Sequence, residues 1–425
     1  MSLYLGIDFG TSGARSVVID DNSEILASVR YSWSDHVQNW FTCWREGLWC
    51  LLGQIPGHLR GNIQAIAING TSSTILLTDG AGNPIDAPLL YNDDRGISVL
   101  ERLRVIAPPH HTVLSATSSL AKLLWMQDLP SFIKSNLSNL SQKYSIYLLH
   151  QADWLGFLLH GKLGVSDYHN ALKLGYDVEN FQYPQWLENL DIQVNLPEVL
   201  TPGTPIGELL PQIVTEFGFS HSCYVCAGTT DSIAAFLASG ANLPGQGVTS
   251  LGSTLVLKLL SRTRVEDARY GIYSHRLGDL WLTGGASNTG GAVLRHFFSD
   301  DELVKLSAEI DIEKDCDLDY YPLLKMGDRF PINDPFLAPK LTPRPDNNRD
   351  FLYGLLTGIA KIEARGYELL AILGADQLNY VYTAGGGANN HTWIDIRKRF
   401  LRTNIVPSIH TEAAYGTALL AKKNL

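Results

Sequence analysis

The chain has 425 residues, 45% hydrophobic and 18% charged, with a formal net charge of −10. That length is too great for one core and implies two or three domains, and the composition is globular rather than disordered. The acidic balance leaves no electrostatic footprint for nucleic acid, and no uninterrupted apolar run is long enough to span a bilayer.

Tyr4–Ile7 is short and apolar, as a buried strand should be, and Ser16–Ile19 is β-branched, as a paired strand should be. Gly10-Thr11-Ser12-Gly13 forms a tight turn between them, with Asp8 just before it and Arg15 just after. Glycines let backbone N–H groups approach a phosphate, Thr11 and Ser12 add hydroxyl donors, and Arg15 adds charge. Asp8 has no affinity for a phosphate, so it implies a metal between them, most simply Mg²⁺. The plainer alternative is an ordinary polar hairpin. A third strand is expected near Glu24–Tyr31 and a helix over Trp44–Gln54. A strand at Ile63–Ile68 then delivers Asn69-Gly70-Thr71-Ser72-Ser73 to a loop, and Ile75–Thr78 reads as the next strand. Asp93, Asp94 and Arg95 place three charges after an apolar run. They are costly unless solvated or paired, and a polyol offers partners. In Ser119–Trp125, Lys122 and Trp125 share a helical face, and a packed Trp beside a snorkelling Lys accounts for both. Residues 130–145 are rich in Ser and Asn and read as a surface connection; Leu148–Leu159 reads as a helix ended by Gly161.

Ser222–Ala227 reads as a core strand leading into Gly228-Thr229-Thr230-Asp231-Ser232, with a helix over Asp231–Ser239. Cys223 and Cys226 have redox or half-zinc-site spacing, but no second pair completes a zinc site, so core packing is expected. Five cysteines, an odd number, with no secretory signal read as reduced thiols in an intracellular protein. Val248–Lys258 repeats the opening design: strand, Gly252-Ser253-Thr254 turn, strand. A repeat of this kind points to two related halves. Residues 331–350 read as an exposed loop and Phe351–Leu373 as a long helix ended by Gly374. Tyr380–Thr383 precedes a glycine cluster, Gly385-Gly386-Gly387-Ala388-Asn389-Asn390, without the G-x-G-x-x-G spacing of a dinucleotide fold. Thr411–Lys423 is an alanine-rich final helix.

These pieces, in this order, resemble the FGGY carbohydrate kinases of the actin-like ATPase superfamily, over essentially the whole chain. Asp8-Phe9-Gly10-Thr11-Ser12 is similar to the first phosphate motif and Leu251-Gly252-Ser253-Thr254 to the second. Tyr91–Arg95 is similar to the sugar-side W-x-D-x-R segment, with tyrosine for the usual aromatic, and Ser119–Trp125 to the S-x-x-K-hydrophobic-x-W signature. Gly228–Ser232 is similar to the segment carrying the catalytic aspartate, and the Gly385 cluster to the adenosine motif.

The resemblance implies an α/β fold of two actin-like (ribonuclease H-like) domains, 1–238 and 239–425, with a nucleotide and sugar cleft between them. The final helix is a candidate to pack back on the first domain. It implies ATP and Mg²⁺ as cofactors, a small-molecule sugar as substrate, no nucleic-acid or membrane partner, a monomer or homodimer, and a cytoplasmic location. Asp231 is expected to accept the proton of the attacking hydroxyl, with capping of the following helix as its structural alternative. Asp8 and Asp231 are the expected metal-side carboxylates. Thr11 and Ser12 are expected at the γ-phosphate, with Gly10 and Arg15 among the cofactor-binding residues, Gly252, Ser253 and Thr254 at the β- or α-phosphate, and Gly386, Gly387 and Asn390 along the nucleotide. Asp8, Ser72, Asp93, Arg95 and Asp231 are expected to face the sugar.

Members acting on xylulose usually carry a Gln-Met-His segment after the third strand, and members acting on glycerol a Gln-Arg-Glu segment. Here Asn69–Ser73 offers small hydroxyls instead. The compact chain resembles the short plant and cyanobacterial members described as ribulose kinases. D-ribulose is therefore the expected substrate, with D-xylulose second. A catalytically weak sugar-binding protein of the same fold is the non-enzymatic alternative.

Overall fold

The computed structural model describes residues 1–34, 36–130, 132 and 146–423. Contacts divide the chain into two units, Met1–Ala238 with Glu412–Leu425, and Ser239–Thr411. Each is built on a mixed six-stranded sheet.

In the first unit, β1 (Leu3–Phe9), β2 (Gly13–Asp20) and β3 (Ile25–Ser32) form an antiparallel meander. β4 (Ile63–Gly70) then pairs parallel with β1. Two small strand pairs lie apart from this sheet: β5 (Ile75–Thr78) with β6 (Tyr147–His150), and β7 (Val165–Asp167) with β8 (Glu198–Leu200). β9 (Pro205–Glu208) and β10 (Tyr224–Thr230) complete the sheet in the order β3-β2-β1-β4-β10-β9. Every residue of β1 is buried, because the sheet is covered on both faces. One face is covered by α1 (Trp40–Gln54), whose Trp44, Leu48, Leu51 and Leu52 join β1 and β4 in a core. The other receives the final helix, introduced below, through Ala414, Ala418 and Ala421.

The region expected as one helix from Leu148 is split. Tyr147–His150 pairs with β5, and the helix α3 (Gln151–His160) begins only after it. α2 (Ser119–Gln127) precedes this region, and the surface connection expected at 130–145 lies almost wholly outside the described residues. α4 (Asp231–Ala238) follows β10 directly.

The second unit repeats the plan. β11 (Gln246–Leu251), β12 (Leu255–Ser261), β13 (Tyr273–Leu277), β14 (Leu280–Ser287), β15 (Tyr380–Ala384) and β16 (Asn404–Pro407) run in the order β13-β14-β12-β11-β15-β16. β11 and β12 form the hairpin corresponding to β1 and β2, and β15 pairs parallel with β11 as β4 does with β1. α5 (Asn348–Ile372) is the long helix, with Gly374 in the left-handed conformation just beyond its end. Residues 331–347 carry no helix or named strand. Beneath this sheet Arg397, on α6 (His391–Leu401), makes a fully buried bidentate pair with Glu363, at 2.6 and 2.8 Å, and also donates to Thr383.

The chain re-enters the first unit as α7 (Ala413–Lys422). Gly416 permits its close seat on α4: a Cβ there would lie 1.9 Å from the Ala234 carbonyl oxygen. Thr417 on α7 accepts from the Asn69 amide at 2.6 Å.

His160, at the end of α3, is buried, and its Nδ1 accepts from the Lys162 N–H at 3.1 Å. Burial, then the Lys162 charge, lower its pKa to about 4. The unfolded histidine protonates near its ordinary value, so stability is retained above that value and lost as pH falls from there toward 4. The loss should reach up to about 3 kcal/mol. Urea midpoints at pH 7 and pH 4.5 test this: His160→Gln should show a much smaller drop than wild type, and parallel drops would refute it.

Candidate active site

β1, β4 and β10 are adjacent and parallel, so their carboxyl ends lie along one edge of the sheet. In such sheets ligands bind at that edge. β1 ends in Asp8-Phe9 and the Gly10–Ser12 turn, β4 ends in Gly70 and the Thr71–Ser73 loop, and β10 ends in Thr230 followed by Asp231. The register sets Asp8 beside Arg15 on one side and Asn69 on the other, with Thr229 opposite Asn69 on the next strand. Asp8, Ser72 and Asp231, far apart in sequence, thus come to one edge.

Asp8 is 9% exposed, and its Oδ1 is buried with no hydrogen-bond partner among the described residues. Burial foremost, then the charge of Asp231, push its pKa up to about 7, against the pull of Arg15. Asn69 Oδ1, Ser73 Oγ and Thr230 Oγ1 are likewise buried without hydrogen-bond partners among the described residues. Buried polar atoms are nearly always satisfied, so this concentration at a strand edge marks a place shaped for a ligand. An orphaned carboxylate oxygen that feels the charge of a second carboxylate fits a hard divalent cation, which oxygen ligands suit and whose charge reverses the like-charge cost. Among the described residues no larger group of His, Cys, Asp and Glu gathers as a metal cluster. Cys223 and Cys226 are buried free thiols in the core, their pKa values raised by burial.

The Gly10–Ser12 turn is held from outside. The Trp33 N–H donates to the Ser12 carbonyl at 3.2 Å, and the Trp33 indole to the Gly10 carbonyl at 3.0 Å. The Trp33 ring packs on Phe9 with centroids 5.9 Å apart. Thr11 and Ser12 remain exposed. Arg15 turns to Glu412, which pairs with it at 2.5 Å and with Arg30 at 3.0 Å. Asp231 opens α4 and its Oδ1 accepts from the Ser232 N–H at 2.7 Å.

At the loops, Asp93 and Arg95 bind one another through a fork of contacts, the shortest 2.6 Å. Thr71 is tied to Gln151 at the start of α3, through its N–H at 3.0 Å and its hydroxyl at 3.1 Å. Ser72, between these anchored neighbours, is half-buried. Sequence reading missed Lys173. It follows the α-turn Tyr168–Ala171, which Asp167 caps and which His169 ties to β10 by a 2.7 Å contact with Thr229. Burial lowers the Lys173 pKa while Asp231 resists, so the ammonium feels the catalytic candidate. Only tertiary contact reveals it.

In the second unit the Gly252–Thr254 turn joins β11 and β12, with Gly252 and Ser253 carbonyls accepting from the N–H groups of Gly291 and Ala292 at 2.9 and 3.1 Å. Arg295 donates to Ser253 Oγ at 3.2 Å, placing an unforeseen cation on this turn. Gly385 has φ +84, and a Cβ on it would lie 2.6 Å from the Leu251 carbonyl oxygen, so the glycine cluster sits tight against the end of β11. Gly386 is open to solvent. Asn390 caps α6 through the Trp393 N–H at 3.0 Å, and its amide donates to Ser307 at 2.8 Å. Among the described residues no helix is long and apolar enough to cross a membrane.

The model of the N-terminal domain of the FGGY family of carbohydrate kinases matches residues 3–238. A xylulose kinase of Staphylococcus xylosus is 23% identical over 99% of this chain and 90% of its own. Among solved structures, xylulose kinase from Rhodospirillum rubrum superposes with TM-score 0.83 at 19% identity, covering 99% of this chain and 89% of that one. Plasmodium falciparum glycerol kinase with ADP superposes with TM-score 0.85 at 17% identity, with the same coverage.

Proposed function

We propose, from the premise that the chain belongs to the FGGY family of carbohydrate kinases, that this ATP-dependent sugar kinase phosphorylates a ketopentose, D-ribulose above D-xylulose. The observation that carries the reading is the meeting of Asp8, Ser72 and Asp231 at the ends of three adjacent parallel strands.

Phosphoryl transfer asks a protein for positioning and charge neutralisation rather than covalent chemistry. Asp231 takes the proton of the attacking sugar hydroxyl. Thr11 and Ser12, on the turn that Trp33 holds, donate to the γ-phosphate, and Gly10, whose own N–H is taken by the Gly13 carbonyl at 3.0 Å, lets the phosphate approach without a side chain in the way. Arg15 joins them once released from Glu412. Gly252, Ser253 and Thr254 receive the β- or α-phosphate. Gly386 and Gly387 lie along the nucleotide, and Asn390 holds that turn in place. Asp8, with Asp231 near it, would hold Mg²⁺, which when bound neutralises phosphate charge. Asp93 and Arg95 hold sugar hydroxyls from the loop after Leu90.

The substrate choice rests on Ser72. Its hydroxyl supplies one donor and two acceptor sites with little bulk. A site built from such bonds separates epimers, because a misplaced hydroxyl leaves buried groups unpaired. The xylulose kinases among the relatives support D-xylulose as the second reading. In a coupled assay with a panel of sugars, kcat/KM should be highest for D-ribulose, with glycerol poor. Ser72→Ala should weaken ribulose use by about 1–3 kcal/mol. Better turnover of D-xylulose, gluconate or glycerol, or an indifferent Ser72→Ala, would overturn the assignment. ATP hydrolysis without any sugar product would favour the weak sugar-binding alternative.

A further inference from the structure

Lys122 lies midway along α2 with its side chain wholly out of water. The snorkelling expected from sequence does not occur, and a buried ammonium must then find protein partners. It finds two backbone carbonyls. Nζ donates to Ser73 at 2.9 Å and to Leu90 at 2.5 Å. These carbonyls belong to different loops. Ser73 lies in the turn that the Thr74 N–H closes on the Thr71 carbonyl at 3.2 Å, and Leu90 opens the turn that the Asp93 N–H closes at 3.0 Å.

Ser73 has φ +65, in the left-handed region, which a non-glycine residue enters at a cost. Its hydroxyl makes no hydrogen bond among the described residues, so its own side chain does not compensate that cost. The ammonium does, by binding the carbonyl that this conformation presents. The same helix offers the Trp125 ring to Arg95, whose guanidinium lies 4.5 Å from the ring centroid and which holds Asp93 at 2.6 Å. One helix therefore sets both loops, the first through Ser73 and the second through Leu90 and Arg95. Burial lowers the Lys122 pKa to about 8, and Asp93 resists that fall.

We propose that Lys122 is a positioning residue for the sugar site: its ammonium locks the 71–74 and 90–93 turns together, so that Ser72 and Asp93 are presented to the acceptor sugar at fixed separation. This inference rests on the sugar-kinase reading.

Lys122→Met keeps the apolar stem and removes every donor. The KM for the ketopentose should rise about 10-fold or more, while kcat at saturating sugar and the KM for ATP stay within about 3-fold of wild type. A merely structural lysine would not separate these constants. Adding Ser73→Gly, which makes the left-handed conformation free of strain, should recover part of the lost sugar affinity. Lys122→Gln retains a donor for one carbonyl and should show an intermediate KM; it decides the matter if Lys122→Met does not fold. An unchanged sugar KM in either variant overturns the proposal, as does loss of kcat with both KM values unmoved. Failure of the sugar-kinase reading is distinguishable: the wild type then turns over no ketopentose, and this inference falls with it.

Discussion

Asp231→Asn should lower kcat by about 10²–10⁴-fold while leaving the KM for ATP and for sugar near wild type. Asparagine keeps the size of the side chain and its acceptor for the Ser232 N–H, so the start of α4 is preserved. What it loses is the capacity to take a proton. If capping were the sole task of Asp231, asparagine would serve as well and turnover would survive. The measurement is steady-state kinetics on the ketopentose with ADP binding by calorimetry as a control. A kcat within a few fold of wild type would remove Asp231 from the chemistry.

Asp8 should give two effects of opposite sign. Asp8→Ala should abolish Mg²⁺-supported activity without unfolding the unit, since Oδ1 of the lost side chain makes no hydrogen bond among the described residues and the strand keeps its register with β2 and β4. Stability should move the other way. The folded pKa of Asp8 is raised to about 7, above that of an unfolded aspartate, so the metal-free fold prefers the protonated acid. Its stability is greatest at low pH on this account and declines as pH rises through 7, by up to about 4 kcal/mol. Asp8→Asn escapes that cost and should melt higher than wild type at pH 8 in EDTA. Adding Mg²⁺ to the protein with ATP should raise the wild-type Tm further than that of Asp8→Asn, which keeps the other nucleotide contacts but not the carboxylate. A variant fully active at low Mg²⁺ would show that Asp8 holds no cation, and one that melts lower than wild type in EDTA at pH 8 would refute the cost assigned to the buried carboxylate.

Local pattern made much of this legible. The Gly10–Ser12 and Gly252–Thr254 turns and their flanking strands were visible because alternation, β-branching and glycine act over a few residues. The long helix ending before Gly374 was visible for the same reason. The strand at Tyr147–His150 was not, since its apolar residues also suit a helix and only pairing with β5 decides. The candidate site divides in the same way. Asp8, Ser72 and Asp231 were named from motifs, but their meeting depends on β1, β4 and β10 running side by side, which no local pattern encodes.

The sequence by itself determined the repeated strand–turn–strand design, the chemistry offered at each turn, and the kinship to sugar kinases, because these reside in residue type and order. Tertiary structure alone decided what each side chain does with that chemistry. It buried Lys122 and spent its donors on the Ser73 and Leu90 carbonyls, turned Arg15 to Glu412, and brought Lys173 within the field of Asp231. Those outcomes depend on partners 32 to 397 residues away along the chain. Hydrogen bonds and burial act through space, so a charged residue's task is set by what the fold places next to it.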